Sequence, residues 1–182
     1  MLNTATDVSY WQFENQQLAD SDLIDQLVLS LCDNCHIDYP NPRLHLLLSE
    51  LVSNAIDHGV LALDSRLKKS TTGFDAYFME RAKRLTESEK GWISVTAERL
   101  DIQTLRISVQ DSGNGFDYQR LCRELSPGNA CNTTNACNTI GDAYDTDQLH
   151  GRGLLIINSL CSSVSHIGNG NCTEVEFNLA VV

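Results

Sequence analysis

Three short polar runs, each at the end of a predicted regular element, constrain this chain more than anything else in it. They are Glu50-Leu-Val-Ser-Asn54, Asp111-Ser-Gly113-Asn-Gly115 and Gly151-Arg152-Gly153-Leu154. The first sets a carboxylate and an amide one helical turn apart. The second is an acid followed by alternating glycines at the close of a strand. The third is a glycine-rich entry into a helix. A fold that gathers all three makes a nucleotide pocket, with one group for metal, one for base and one for phosphates.

The elements around these runs follow from periodicity and punctuation. Val8–Phe13 reads as an edge strand. Ser21 is placed to cap a helix running to about Cys35, with Leu23, Ile24, Leu27, Val28 and Leu31 on one face. Asn41 is an N-cap with Pro42 at the first helical position. In the helix that follows, Leu44, Leu47, Leu48, Leu51 and Val52 form an apolar stripe, and Glu50, Asn54, Asp57 and His58 share the polar face. Gly59 is the expected C′ residue ending it. Residues 60–91 form a polar insert with helical spacing through Phe74, Tyr77, Phe78 and Leu85. Two alternating strands follow, Trp92–Glu98 and Thr104–Gln110, then a loose polar stretch over 116–149. Within that stretch Asn129-Ala-Cys-Asn-Thr133 is echoed by Asn135-Ala-Cys-Asn-Thr139, which marks a mobile loop rather than a repeat fold. A helix after Gly153 and a hairpin turning at Gly168-Asn-Gly170-Asn close the chain. This order predicts one α+β domain over residues 1–182, a two-layer sandwich whose helices cover one face of a mixed, mostly antiparallel sheet.

Bulk properties narrow the function. The chain has 182 residues, 42% of them hydrophobic, and a net charge of −11. That charge argues against nucleic acid or an anionic membrane surface as partner, and does not exclude a nucleotide whose phosphates are offset by metal and backbone N–H groups. No apolar run approaches a membrane span, and the N-terminus has neither a basic start nor an apolar signal core. Seven cysteines without regular spacing fit a reducing cytoplasm. Cys32-Asp-Asn-Cys35-His36 matches the haem-attachment spacing, but attachment needs export. It also falls at the end of an apolar-periodic segment, where buried structural cysteines are expected.

Each run has its own chemistry. Asn is a poor mid-helix residue, so Asn54 is informative there. Its amide oxygen suits Mg²⁺, and a glutamate one turn earlier can orient or deprotonate an attacking hydroxyl or water. Asp111 can accept a hydrogen bond from an exocyclic amine, which adenine offers and guanine does not at that place, while the glycines give a base room to approach. The N–H groups around Gly151, Arg152 and Gly153, at the positive end of a helix, attract phosphate. Arg152 either reaches the triphosphate or lies in solvent. The run lacks the P-loop pattern, and no G-x-G-x-x-G follows a first strand.

In this order the three runs resemble the N box and the two glycine boxes of the GHKL ATPases, the superfamily of gyrase, heat-shock chaperone, histidine kinase and mismatch-repair ATPases. The resemblance covers about residues 20–180. It implies the Bergerat α/β sandwich, ATP and Mg²⁺ as ligands, and an ATP lid over 116–149. Within the superfamily, Glu50-Leu-Val-Ser-Asn54-Ala-Ile-Asp-His58-Gly59 is similar to bacterial anti-sigma-factor serine/threonine kinases. That likeness implies Glu50 as catalytic base, Asn54 as Mg²⁺ ligand and Asp111 as adenine reader. Gly113, Gly115, Gly151 and Gly153 would then shape the pocket. His58 matches the family's helix-end histidine, with capping or packing equally open. The 60–91 insert, with His58-Gly-Val-Leu-Ala-Leu-Asp64-Ser65, resembles kinase-like domains at the C-terminal end of response-regulator phosphatases. It departs from the compact anti-sigma kinases.

The implied activity is phosphorylation of an anti-anti-sigma (STAS) protein in a cytoplasmic partner-switching circuit. The alternative is a nucleotide-gated module that binds that protein or a sigma factor without turnover. A homodimer is left open, as is the role of Phe74, Tyr77 and Phe78, which either pack on their own sheet or form a partner surface. A histidine-kinase reading is disfavoured, because no histidine is followed by the acidic residue of a phospho-acceptor helix and no dimerisation helix pair precedes the domain. A topoisomerase or chaperone would need transducer domains.

Overall fold

A computed structural model of the protein describes residues 8–64, 73–87, 90–115 and 152–179. Its centre is a five-stranded sheet. The strands are β1 (Val8–Glu14), β2 (Trp92–Arg99), β3 (Thr104–Asp111), β4 (Cys161–Ile167) and β5 (Cys172–Asn178), in the spatial order β1-β2-β3-β5-β4. Every pairing is antiparallel, so among the described residues the sheet is not mixed. The predicted edge position of β1 holds.

Alternation decides which face is covered. Leu105, Ile107, Val109 and Asp111 are buried along β3, with Ile93, Val95 and Ala97 on β2 and Val175 and Phe177 on β5. The opposite face is polar: Arg106 lies 3.3 Å from Glu98 and 3.1 Å from Glu176. Half-exposed pairs of this kind contribute little to stability, and they show which face water keeps.

The helices α1 (Leu23–Asn34), α2 (Pro42–Asn54), α3 (Gly73–Glu87) and α4 (Arg152–Leu160) complete the α+β fold. α2 is the central helix, in contact with α1 and with α4. Asn41 Oδ1 accepts from the Leu44 N–H at 3.0 Å, and Pro42 occupies the first turn, as the sequence predicts. Leu44, Leu47, Leu48 and Val52 are fully buried. Each such leucine contributes roughly 1.5–3 kcal/mol by leaving water. α1 is tied to the sheet edge by Trp11, whose Nε1 donates to Ser30 Oγ at 3.0 Å.

Several local expectations are corrected. The N-cap of α1 is Asp22, not Ser21, because Asp20 Oδ1 takes the Asp22 N–H at 2.9 Å and turns the chain one residue later. Gly59 does not end α2 as a left-handed C′ residue. α2 passes at Ala55 into a π-helical turn, Ala55–Val60, and Gly59 lies inside it without a positive φ. The wider turn also changes the phase of the helix, so Asp57 is buried rather than on the solvated face with Glu50 and Asn54.

Cys32 and Cys35 are buried at the end of α1, where Arg99 Nη1 donates to the carbonyls of Cys35 and His36. That agrees with structural cysteines. Burial, with the nearby Cys35 and Asp33, raises the Cys32 pKa. The lid expected over 116–149 lies outside the described residues, as does Gly151. No helix among the described residues is long and apolar enough to cross a membrane.

Candidate functional site

One end of the site is built on the polar side of α2. Glu50 and Asn54 are one turn apart and both partly exposed. The first turn of α4 lies directly against them. A Cβ on Gly153 would sit 2.5 Å from Glu50 Oε2 and 3.6 Å from each atom of the Asn54 amide. A larger residue at 153 would displace the Glu50 carboxylate from this position. The positive end of α4 therefore lies beside a carboxylate and an amide. Arg152 is the first residue of α4; its side chain is outside the described set.

The other end is built on Asp111, the last residue of β3 and 7% exposed. Gly113 N–H donates to Asp111 Oδ1 at 2.8 Å. The π-turn presses on the same carboxylate: a Cβ on Gly59 would lie 2.2 Å from Asp111 Cγ, and one on Gly113 would lie 2.3 Å from the Gly59 carbonyl oxygen. Two glycine backbones thus close around one acid. Burial pushes the Asp111 pKa up to about 6, and the Gly113 N–H opposes the shift.

These two ends share one scaffold. Glu50 and Asn54 lie on α2 and Gly59 on the π-turn that continues it, so the contact with α4 and the contact with β3 fall on one continuous helical segment. Residues from all three sequence runs meet that single helix. Gly115, with φ +75°, faces the β4–β5 turn, where its Cβ would meet the Asn169 carbonyl at 2.2 Å.

That turn is a part of the site the sequence analysis missed. Asn169 Nδ2 donates to the Asn114 carbonyl at 2.7 Å. Asn171 Nδ2 donates to the Asp111 carbonyl at 3.2 Å, and the Asp111 N–H returns to the Asn171 carbonyl at 2.9 Å. The signal was available: the Gly168–Asn171 turn is readable, and any β5 paired with β3 starts where β3 ends.

The insert contributes as well. Tyr77 is buried and its hydroxyl donates to Asp57 Oδ2 at 2.6 Å, while Arg81 Nε donates to Asp57 Oδ1 at 2.7 Å. Burial, the hydrogen bond to Asp57 and its charge drive the Tyr77 pKa up. Phe78, one residue on, is 61% exposed, so the aromatic stripe divides between core and surface. His58 Nδ1 lies 2.9 Å from the Leu63 carbonyl oxygen, closing the chain after the π-turn.

The donor set fits a hard cation shared with phosphate. Asn54 offers an amide oxygen, and among the described residues no group of three or more His, Cys, Asp or Glu side chains stands ready to hold a metal alone. Mg²⁺ commonly takes one or two protein oxygens, keeps water and binds the phosphates of its substrate.

The family model of histidine kinase-, DNA gyrase B- and HSP90-like ATPases matches residues 39–180, from just before α2 to just past β5. Comparison with curated proteins gave no match.

Proposed function

Because this chain belongs to the histidine kinase-, DNA gyrase B- and HSP90-like ATPase family and carries its ATP-binding domain, we propose that it is an ATP-dependent protein serine/threonine kinase. Its substrate is an anti-anti-sigma (STAS) protein. The observation that carries the reading is the packing of Gly153 on Glu50 and Asn54, which gives phosphate-binding backbone and a carboxylate base a common position.

In this reading the adenine amine donates to Asp111 and the triphosphate runs along α2 toward the first turn of α4. The hydroxyl of the acceptor serine or threonine attacks the γ-phosphorus in line, and its proton passes to Glu50. The bond from the γ-phosphorus to the β–γ bridging oxygen breaks, and ADP leaves. Asn54 would hold a Mg²⁺ ion, which would supply charge neutralisation to the transferring group. Asp111, held at a raised pKa in the free protein, is a stronger acceptor once ionised, and an amine donor favours that form.

The test is transfer of ³²P from [γ-³²P]ATP to the organism's own STAS protein. The proposal expects label on a serine or threonine of that protein, and label at least about a hundredfold slower to appear with Glu50→Ala. ATP-dependent association without label would replace it with the binding-only module, and neither label nor association would remove the partner assignment.

A further inference from the structure

The insert helix α3 grips the α2 π-turn at several points. Tyr77 and Arg81 both donate to the buried Asp57. Arg84 Nη1 donates to the carbonyls of Leu61 at 2.7 Å and Ala62 at 3.1 Å, and Ala62 has a φ of 47°. Between those anchors lies Gly59, whose backbone touches both the Asp111 carboxylate and the Gly113 backbone with no room for a methyl group. A displacement of the π-turn by a few tenths of an ångström must move the carboxylate or break the contact.

Stability alone does not account for the cluster. A carboxylate taken out of water beside a guanidinium commonly gains no net free energy over a well-packed apolar residue of similar size. What such a cluster does supply is a fixed direction, because two donors on one helix turn hold the carboxylate at two oxygens.

We infer that Asp57, Tyr77 and Arg81 are positioning residues for adenine recognition: α3 fixes the π-turn, and the π-turn fixes the Asp111 carboxylate where the exocyclic amine must meet it. The inference rests on the reading of Asp111 as the adenine acceptor. It gives the 60–91 insert a task within the nucleotide site, not only at a partner surface.

Titration calorimetry of the full chain with ATP and with purine riboside triphosphate, which lacks the exocyclic amine, tests this. Tyr77→Phe removes only the hydroxyl. It should weaken ATP about fivefold, in the range of couplings between neighbouring residues, and leave purine riboside triphosphate within about twofold of the wild type. Circular dichroism at the titration temperature checks folding. Where Tyr77→Phe is unfolded, Arg81→Gln carries the same expectation, since Arg81 is already 29% exposed. Equal weakening of both nucleotides, or no weakening of either, in a folded variant means a merely structural cluster and overturns the inference while ATP binding stands. A wild type that does not prefer ATP over purine riboside triphosphate removes the Asp111 reading, and the inference with it.

Discussion

The two ends of the site are made in different ways. At Glu50 and Asn54 the polar groups sit on one helix face, partly exposed, with α4 laid beside it. At Asp111 the acid is 7% exposed and walled by backbone from three segments: the α2 π-turn, the loop after β3 and the β4–β5 turn. The first end depends on side chains, which can be exchanged with little change in fold. The second depends on the absence of side chains, since Gly59 and Gly113 touch where any Cβ would collide. Substitutions should therefore separate turnover at one end from binding at the other.

Four measurements can break or sharpen that contrast. Glu50→Ala should lower phosphoryl transfer by about 10²–10⁴-fold, the usual contribution of a positioned base, with ATP affinity near that of the wild type. Equal losses of binding and turnover would erase the difference between the ends. Asp111→Asn should weaken ATP by roughly 10–100-fold, as expected for loss of a hydrogen bond to a charged group, read by calorimetry. Unchanged affinity would remove the base end from Asp111. Gly59→Ala should cost about 1–3 kcal/mol of stability by overpacking and weaken ATP, with Glu50-dependent chemistry intact in whatever fraction binds. A fully stable, fully binding variant would mean that the π-turn moves freely.

The smallest effect is in pH. The Asp111 pKa is raised to about 6, above the ordinary carboxylate value of about 4. Between these values the folded protein holds a proton that the unfolded chain has lost, so this group's contribution to stability falls as pH rises from about 4 to about 6. In the proposed reading ATP favours the ionised carboxylate, so affinity should be full well above pH 6 and decline as pH falls through 6. Thermal denaturation and calorimetry across that range should show both trends in the wild type and should lose the Asp111 share of each in Asp111→Asn. A wild type and variant with identical profiles would contradict the assignment.

The sequence foretold the element order, the Asn41-Pro42 start of α2, the β2–β3 pairing and the final hairpin, because each depends on local spacing or turn chemistry. It also picked out Gly153 and Asp111, although it could not say that Gly153 rests on Glu50. What it misread was long-range. Gly59 looks like a helix stop by its neighbours alone, yet it is small because Asp111 occupies the space. Asp57 falls on the polar face of an ideal helix, and the π-turn with Tyr77 and Arg81 buries it. Asn169 and Asn171 looked like turn residues, and only the β3–β5 pairing brings Asn171 beside Asp111 and Asn169 beside Asn114. In each case the deciding partner lies twenty or more residues away in sequence.

The most direct test of the central claim is a crystal structure with a non-hydrolysable ATP analogue and Mg²⁺. The account predicts the adenine amine within hydrogen-bond distance of the Asp111 carboxylate, and the phosphates between Asn54 and the first turn of α4. An analogue bound with its base away from Asp111, or its phosphates away from Asn54 and Gly153, would contradict it.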